Sequence, residues 1–268
     1  MLLFGATLLV LTSAGQAVTT QDPAWVWNNE TPGCVLQHQL ANGRTLGIGR
    51  TPGTDTTSIS ITSSSSFVPP SPAAKFQVLK DAKLVLGPGL TLAAEISTVR
   101  DKNGRFDVNG NMDDPGVLDA LTAGAFVEFV AGETIIDKAP LSSGRTVVDA
   151  LRECEDRMMR SWGIDPWAWR KLRTRPIPSN SKLSWISPQD YPQRAVRNRA
   201  AGLTIARLSI STKGRVEDCV SINPDPQTGF GEAVCRAVRK RAKFQPATDA
   251  DGKKVAAPYV VIMQFVIQ

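Results

Sequence analysis

Histidine is almost absent from this chain, which carries a single imidazole, His38, among its 268 residues. Its four cysteines include no Cys-x-x-Cys pair, so neither a structural zinc site nor a catalytic thiol is indicated. Ser63–Ser66 lacks the Gly-x-Ser-x-Gly context of a hydrolase nucleophile. We therefore expect no catalytic residue, no metal ion and no cofactor, and interpret His38 as a packed or surface residue.

Acidic residues occur in short groups that do not complete a recognisable site. Asp107–Asp113 resembles a calcium loop, but Met112 stands where the sharp turn needs glycine, and Leu118 stands where the bidentate glutamate belongs. We expect a hairpin end followed by a helix cap there. The adjacent acids Glu155 and Asp156 are interpreted as solvated helix surface.

No apolar run reaches the roughly 20 residues that a membrane-spanning helix needs. Leu2 to Leu11 is apolar and is followed by small residues, with a plausible cleavage point after Ala17. We predict that residues 1–17 are a signal peptide and that the protein is periplasmic. Because the positive n-region is missing, the alternative is a retained anchor and association with the inner membrane.

Charge is distributed unevenly along the chain. Residues 1–190 contain 18 basic and 19 acidic side chains, whereas residues 191–268 contain 13 basic and 6 acidic ones. The formal net charge of +6 therefore comes from the last part of the chain. Such basicity is typical of partners that are nucleic acids, anionic membranes or acidic proteins, and export argues against nucleic acid. Arg236 and Arg239 belong either to a binding patch or to a solvated helix face.

Four cysteines in an exported chain are expected to form two disulfides, for which three pairings exist. Cys219 lies in a predicted strand, and Cys235 lies on the helix expected to cover that strand. Cys34 and Cys154 fall at the two ends of the upstream region. Pairing Cys34 with Cys154 and Cys219 with Cys235 keeps each bond within one domain, and we predict this pairing.

Residues 25–165 predict a β-rich domain that ends in a helix. Short strand-like runs alternate with turns at Asn42-Gly43, Asn103-Gly104 and Gly132-Glu133. Apolar residues at helical spacing predict a helix from about Arg145 to Trp162. The predicted strands are Cys34–Leu40, Arg44–Gly49, Thr57–Thr62, Phe76–Leu79, Lys83–Leu86, Leu90–Val99 and Ala125–Ile136.

Residues 166–186 are predicted to be a short linker, rich in proline, tryptophan and arginine, that leads to a C-terminal domain at residues 187–268. Pro192 opens a helix expected to run to about Ala201, with Gly202 as its stop. Alternating residues predict strands at Leu203–Ser211 and Arg215–Ile222, joined by a tight turn. A helix from Phe230 and a last strand at Tyr259–Ile267 follow.

Several short motifs in this last region occur in a characteristic order. They are Tyr191-Pro192 with Ala195, Gly214-Arg215-Val216, Ala237-Val238-Arg239, and Phe244-Gln245-Pro246-Ala247 with Gly252. Together with Gly202, they make the segment similar to the TonB C-terminal domain family. One departure is Asn223-Pro224-Asp225-Pro226, where the family usually has Ser-Ser-Gly before the second helix.

The resemblance implies an α+β fold, with a three-stranded antiparallel sheet and two helices, in the periplasm. Family members pair an exposed sheet edge with an extended segment of an outer-membrane transporter. We expect the last strand to dock a partner in this way, or to form a homodimer, without chemistry of its own. The predicted partner-binding residues are Tyr259, Val261, Ile262, Gln264, Phe265, Arg236 and Arg239.

Two differences from energy-transducing TonB proteins shape the functional expectation. Those proteins also carry a membrane helix and a long Pro-rich spacer, and neither pattern is recognisable here. We therefore expect this chain alone not to transmit force between two membranes. The alternative function is an exported enzyme or ligand-binding protein that acts through residues 25–165, and a pocket there lined by His38 and carboxylates would favour it.

Overall fold

The computed structural model describes residues 25–28, 33–40, 43–63, 76–87, 89–100 and 106–266. The predicted signal peptide, Asn42, Asn103–Gly104, Ser64–Ser66 and Ile267 lie outside these ranges. The strands are β1 (Val26–Trp27), β2 (Cys34–Gln39), β3 (Thr45–Arg50), β4 (Thr56–Ser63), β5 (Phe76–Val78), β6 (Ala82–Gly87), β7 (Leu90–Ala93), β8 (Glu95–Arg100), β9 (Phe106–Asp113), β10 (Phe126–Ala131), β11 (Thr134–Pro140), β12 (Ile177–Pro178), β13 (Gly202–Ile210), β14 (Val216–Ser221), β15 (Phe244–Gln245), β16 (Ala247–Thr248), β17 (Lys254–Val255) and β18 (Ala257–Phe265).

Five α-helices accompany the strands in the described ranges, and the predicted α+β class is confirmed. The helices are α1 (Val117–Ala123), α2 (Gly144–Ser161), α3 (Pro166–Arg170), α4 (Gln193–Arg197) and α5 (Phe230–Arg241). Short 3-10 turns cover Lys182–Ser184 and Pro188–Asp190. Within the described ranges, no helix combines the length and the apolar character that crossing a membrane requires.

The N-terminal part is built from two antiparallel sheets. One has the strand order β1-β2-β3-β4-β9-β8-β5 and the other the order β11-β10-β6-β7. Along β4 the residues alternate between buried and half-buried, as expected for a strand with one covered face. The two sheets meet where the ring of Phe129 on β10 lies over Gly110 on β9. The contact is close, since a Cβ atom at Gly110 would come within 3.2 Å of that ring.

Three details of this region differ from the sequence predictions. Leu90–Val99 is two strands, β7 and β8, which join different sheets on either side of Ala94. Ala125–Ile136 is a hairpin that turns at Gly132, whose φ is 59°. The expectation of a hairpin end at Asp107–Asp113 is wrong, because β9 pairs with β4 on one side and β8 on the other. Beyond it, Asp114 accepts a hydrogen bond from the N–H of Gly116, the N-cap residue of α1, but α1 has no side-chain cap hydrogen bond, so the expected helix cap is not formed.

Helix α2 covers the N-terminal core and is joined to the sheet by a disulfide and by a buried ion pair. Its buried face includes Val147, Val148 and Leu151. The predicted disulfide between Cys34 and Cys154 is confirmed, with Cα atoms 5.8 Å apart. The expectation that Glu155 is solvated is wrong, because its side chain is buried and paired with Arg50 at 3.2 Å. Its partner lies on β3, beyond the reach of a local sequence pattern.

The C-terminal sheet has the order β14-β13-β18, and both of its pairings are antiparallel. One face is covered by α5 and by Trp185, forming a core with Leu208, Phe230 and Val261. The predicted disulfide Cys219–Cys235 is confirmed and fastens α5 to β14. The three-stranded antiparallel sheet expected from the family resemblance is therefore present.

Helix α4 ends earlier than the sequence predicts. It stops at Arg197, and Arg199 adopts a left-handed conformation with φ of 46°. The N–H of Ala200 donates to the carbonyl of Ala195, and the N–H of Arg199 donates to that of Val196. This pair of bonds is a Schellman closure, in which Arg199 occupies the position that glycine usually fills. Gly202 instead begins β13.

Residues 166–186 are folded and contact both flanking regions. Trp169 on α3 is buried with Met159 and Ile164, and the same cluster includes Ile205 and Val260 from the C-terminal sheet. Arg207 on β13 donates a hydrogen bond of 2.9 Å to the carbonyl of Trp162. The second face of the C-terminal sheet is therefore partly covered by the end of α2 and by α3.

Candidate functional site

The C-terminal sheet has two edge strands, β14 and β18, and the edge considered as a binding site lies along β18. In the described ranges no strand pairs with β18 on the side away from β13. No charged side chain occurs from Tyr259 to Phe265, and Pro258 lies near the start of the strand. Exposed sheet edges are usually protected by charged residues, by proline or by a covering segment. Most of the β18 edge has no charged residue and no proline.

The hydrogen-bond pattern identifies which groups of β18 face outward. Ile205 accepts from the N–H of Ile222 and donates its own N–H to Asn223, so both of its main-chain groups point towards β14. Ile205 stands opposite Ile262 on β18. In an antiparallel pair, the residue opposite such a position also directs its main-chain groups outward. Ile262 therefore presents its N–H and C=O to the open edge.

Alternation along the strand extends this assignment to its neighbours. Val260 and Gln264 point their N–H groups outward like Ile262, whereas Tyr259, Val261 and Met263 bond to β13. The outward groups of Val260, Ile262 and Gln264 therefore form a row along this edge, in which Ile262 and Gln264 are exposed and Val260 is buried beside Gly53.

The side chains predicted to bind a partner do not all reach the surface. Val261 and Phe265 are buried, and the Phe265 ring stacks on Phe230 with ring centroids 4.2 Å apart. Ile262 is 36% exposed, and Gln264 is also exposed, both on the face opposite to that of Val261 and Phe265. Val261 and Phe265 therefore hold the strand in place, while Ile262 and Gln264 are accessible to a ligand.

A cleft of about 590 Å³ runs beside the first half of this edge. One wall is β18 from Pro258 to Ile262. The others come from loop 51–56 of the N-terminal domain together with Asp113, and from segment 173–178 together with Lys182. Sequence reasoning missed both of these walls. In the sequence, Pro52-Gly53 indicates only a turn, and the basic run from Arg170 to Arg175 indicates only a linker.

Charges of both signs line the cleft. Arg175 forms an ion pair with Asp55 at 3.2 Å, and its guanidinium lies 4.2 Å from the centroid of the Trp169 ring. Burial raises the pKa of Asp55, although Arg175 and Arg50 oppose the shift. Burial also raises the pKa of Tyr259, with Lys182 acting in the opposite direction.

Two cations of the cleft, Arg173 and Lys182, are exposed. Within the part of the chain that the structure describes, neither forms an ion pair. Of the two acids that line the cleft, Asp55 is paired with Arg175, whereas Asp113 accepts a hydrogen bond from Thr56. The rim of the cleft therefore favours an acidic group on a ligand.

Arg236 and Arg239 lie away from the β18 edge. Arg239 bonds to Asp218 at 3.1 Å and to the carbonyl of Cys219, both on β14. Arg236 is exposed and borders a separate cleft that includes the disulfide Cys219–Cys235. The structure therefore places these arginines beside the opposite edge of the sheet, separate from the β18 residues.

The family-like motif at the start of the domain is structural. The Tyr191 hydroxyl donates to the carbonyl of Ala200, and its ring meets Phe265 edge-on at 5.3 Å. Pro192 caps α4, and Ala195 is fully buried. A Cβ atom at Gly202 would come within 3.1 Å of the Phe230 ring. These residues set the packing of α4 against β18.

The second motif group fixes the turn between β13 and β14. Gly214 has a φ of 71°, and a Cβ atom there would collide with the carbonyl of Phe244. The N–H of Phe244 donates to the carbonyl of Gly214. Phe244 is buried against Trp185, and half-buried Pro246 separates β15 from β16. This contact links the hairpin to the segment that leads into β18.

The unusual Asn223-Pro224-Asp225-Pro226 loop completes the far end of the sheet. Asn223 accepts from the N–H of Ile205 at 2.6 Å and donates to the carbonyl of Leu203 at 2.9 Å. Its amide therefore replaces one residue of a neighbouring strand. The main-chain groups of β13 that extend past the end of β14 are therefore satisfied there.

The N-terminal region presents no imidazole to solvent. His38 is 4% exposed, and its ring stacks on Trp25 with centroids 5.1 Å apart. Across the described ranges, no group of three or more metal-ligating side chains comes together.

Comparison with known proteins identifies the part of the chain that contains this edge. No curated protein matches the chain. The model of the family described as Gram-negative bacterial TonB protein C-terminal matches residues 187–267. That match covers α4, the three-stranded sheet and α5, in the order expected from the motifs. Residues 187–267 therefore match the TonB C-terminal domain family, whose members are non-enzymatic protein-interaction domains associated with the bacterial envelope.

Proposed function

We propose that this protein is exported to the periplasm and binds an extended segment of an outer-membrane transporter along β18, as part of TonB-dependent transport. The observation that carries the proposal is the outward-facing row of N–H and C=O groups at Val260, Ile262 and Gln264. Such an edge binds an extended peptide by main-chain hydrogen bonds, and alternate side chains supply specificity. Ile262 and Gln264 provide those accessible side chains.

The remaining predicted contacts take different roles in this proposal. Tyr259 borders the cleft and contacts the start of the bound segment. Buried Val261 and Phe265 keep the strand straight. Arg236 and Arg239, on the β14 side, act only at long range by attracting acidic partners. Pairing of two β18 edges would give a homodimer that competes with transporter binding.

The division of the chain that we propose places a signal peptide at 1–17, a β-rich domain at 25–165 and a connection at 166–186 before the TonB C-terminal domain. The connection acts as a brace, because Trp169 near its start and Trp185 near its end are buried in two different hydrophobic clusters. A brace of this kind holds the two domains in one arrangement while a partner binds.

Amide hydrogen exchange on the mature full-length chain tests the proposal. The probes are synthetic peptides that copy the N-terminal periplasmic segments of TonB-dependent transporters from the host bacterium, with scrambled peptides as controls. We expect a binding peptide to slow exchange at the N–H groups of Ile262 and Gln264, while Val261 is already protected by β13. A peptide that binds without protecting Ile262 or Gln264 would place the site elsewhere.

No specific observation favours the alternative of an enzyme centred on His38. Its ring is buried against Trp25 and is not presented to a substrate.

A further inference from the structure

The N-terminal domain touches the C-terminal sheet at the position where the open edge begins. Gly53 lies against Val260, and a Cβ atom at Gly53 would approach the Val260 Cγ2 atom to 2.6 Å and the Ile164 Cδ1 atom to 3.5 Å. Gly53 also has a φ of 75°, which glycine adopts readily and other residues do not. The loop 51–56 therefore needs glycine to approach β18 this closely.

The loop is held rigidly by its own domain. Arg50 is buried and donates to the carbonyls of Thr54 and Asp55 at 3.1 and 2.9 Å. The same guanidinium donates to Thr57 and pairs with Glu155. The buried Arg50 side chain thus joins the second half of the loop to Thr57 on β4 and to Glu155 on α2.

This arrangement leaves a slot beside the strand. The walls are loop 51–56, segment 173–178 and β18 from Pro258 to Ile262. Five residues of β18 extend over roughly 16 Å at about 3.3 Å per residue, which is the length of a short extended peptide. A chain that pairs with the outward groups of Val260 and Ile262 would lie between β18 and the loop.

We infer that the docking site is shared by both domains: loop 51–56 contacts the bound segment opposite β18, and the segment carries an acidic side chain beside Arg173 and Lys182. This inference rests on the proposed function and adds a specificity role for the N-terminal domain. The acidic preference follows from the two exposed cations, because Arg175 is already paired with Asp55. The occupant is thus an extended, acidic transporter segment.

Photo-crosslinking from single positions of the full-length chain tests the shared wall. A photoreactive phenylalanine derivative is placed at Thr54, at Asp113 or at Ile262, with the exposed position Ile135 as the matched control. The probes are the transporter-segment peptides named above. We expect peptide adducts from Ile262 and from at least one of Thr54 and Asp113, and none from Ile135.

The outcomes separate the two proposals. Adducts from Ile262 without any from Thr54 or Asp113 overturn the shared site and leave edge docking intact. Absence of adducts at Ile262, with peptide binding demonstrated, overturns edge docking itself. If none of the peptides binds, both proposals are overturned.

A charge reversal tests the acidic preference. Arg173→Glu should weaken binding of an acidic peptide by roughly threefold to tenfold, since it removes an exposed ion pair, which contributes modestly, and adds repulsion. The same peptide with its acids replaced by amides should bind Arg173→Glu and the unchanged protein alike. Arg197→Glu makes the same charge change on exposed α4 and should affect neither peptide. Equal loss for both peptides, or no loss for either, contradicts the preference.

Discussion

Proline substitution at two positions of β18 distinguishes the open edge of the strand from its paired side. Val261 is buried, and its N–H bonds to β13 opposite Ala206, so Val261→Pro removes a ladder hydrogen bond and leaves a buried carbonyl unsatisfied. An unsatisfied buried group costs about 1–3 kcal/mol, and we expect the free energy of unfolding to fall by about 2–4 kcal/mol. Denaturant unfolding measures this loss.

Gln264→Pro should have the opposite profile. The N–H of Gln264 points away from β13, so the ladder keeps its hydrogen bonds and stability should change by less than about 1 kcal/mol. Binding loses one intermolecular donor, which is equivalent to about 1–1.5 kcal/mol and a roughly tenfold weaker dissociation constant. Calorimetric titration with a transporter-segment peptide measures the change.

Two outcomes of these proline substitutions would contradict the assignment of the open and the paired side of β18. A folded Gln264→Pro protein that binds its peptide with unchanged affinity shows that the edge is not the site. The basic face of α5, which includes Arg236 and Arg239, would then be the better candidate. A fully stable Val261→Pro protein would contradict the register between β13 and β18.

Three further predictions concern the N-terminal domain. Reduction of Cys34–Cys154, which closes a loop of 120 residues, should lower stability by about 4–5 kcal/mol, and intact mass should show no free thiol before reduction. His38→Gln should cost about 1–2 kcal/mol in thermal unfolding, because the ring is buried, without changing peptide affinity. Burial raises the pKa of Glu155 in the folded state, so the folded protein holds this proton more tightly than the unfolded chain does. The resulting contribution to folding stability is present at acidic pH and is lost as pH rises through the folded-state pKa. Glu155→Gln should flatten this decline in unfolding free energy.

Elements with a strong local pattern were predictable from the sequence. The alternation in Leu203–Ser211 and the helical spacing from Phe230 correspond closely to β13 and α5. The turn at Gly214 was also predictable, because its positive φ suits glycine. In each case the residues that decide the structure are neighbours along the chain.

Predictions failed where distant residues or an unusual conformation decide the outcome. Strand β9 is rich in Asp and Asn, which seldom favour strands, yet it pairs on both sides. Helix α4 ends at Arg197 and is closed by a left-handed Arg199, a conformation that the sequence gives no reason to expect. Glu155 was assigned to the surface because its partner, Arg50, is 105 residues away.

The walls of the cleft were not predictable because their residues come from three separate stretches of the chain. Thr51-Pro52-Gly53 indicates a turn, but no local signal shows that the turn packs on Val260. Val260 comes close to this turn because the end of α2, α3 and the C-terminal sheet pack into one buried cluster.

Charge counted along the sequence also misplaces the cations that border the edge. The basic excess falls in residues 191–268 and includes Arg236 and Arg239 on α5. In the structure Arg239 pairs with Asp218, and Arg241 pairs with Asp190, so those cations are partly neutralised within the domain. Arg173 and Lys182, from the nearly neutral first 190 residues, lie beside β18 instead. Since electrostatic attraction in salt solution acts over about 8–10 Å, their position matters more to a bound segment than the net charge of the domain that carries the edge.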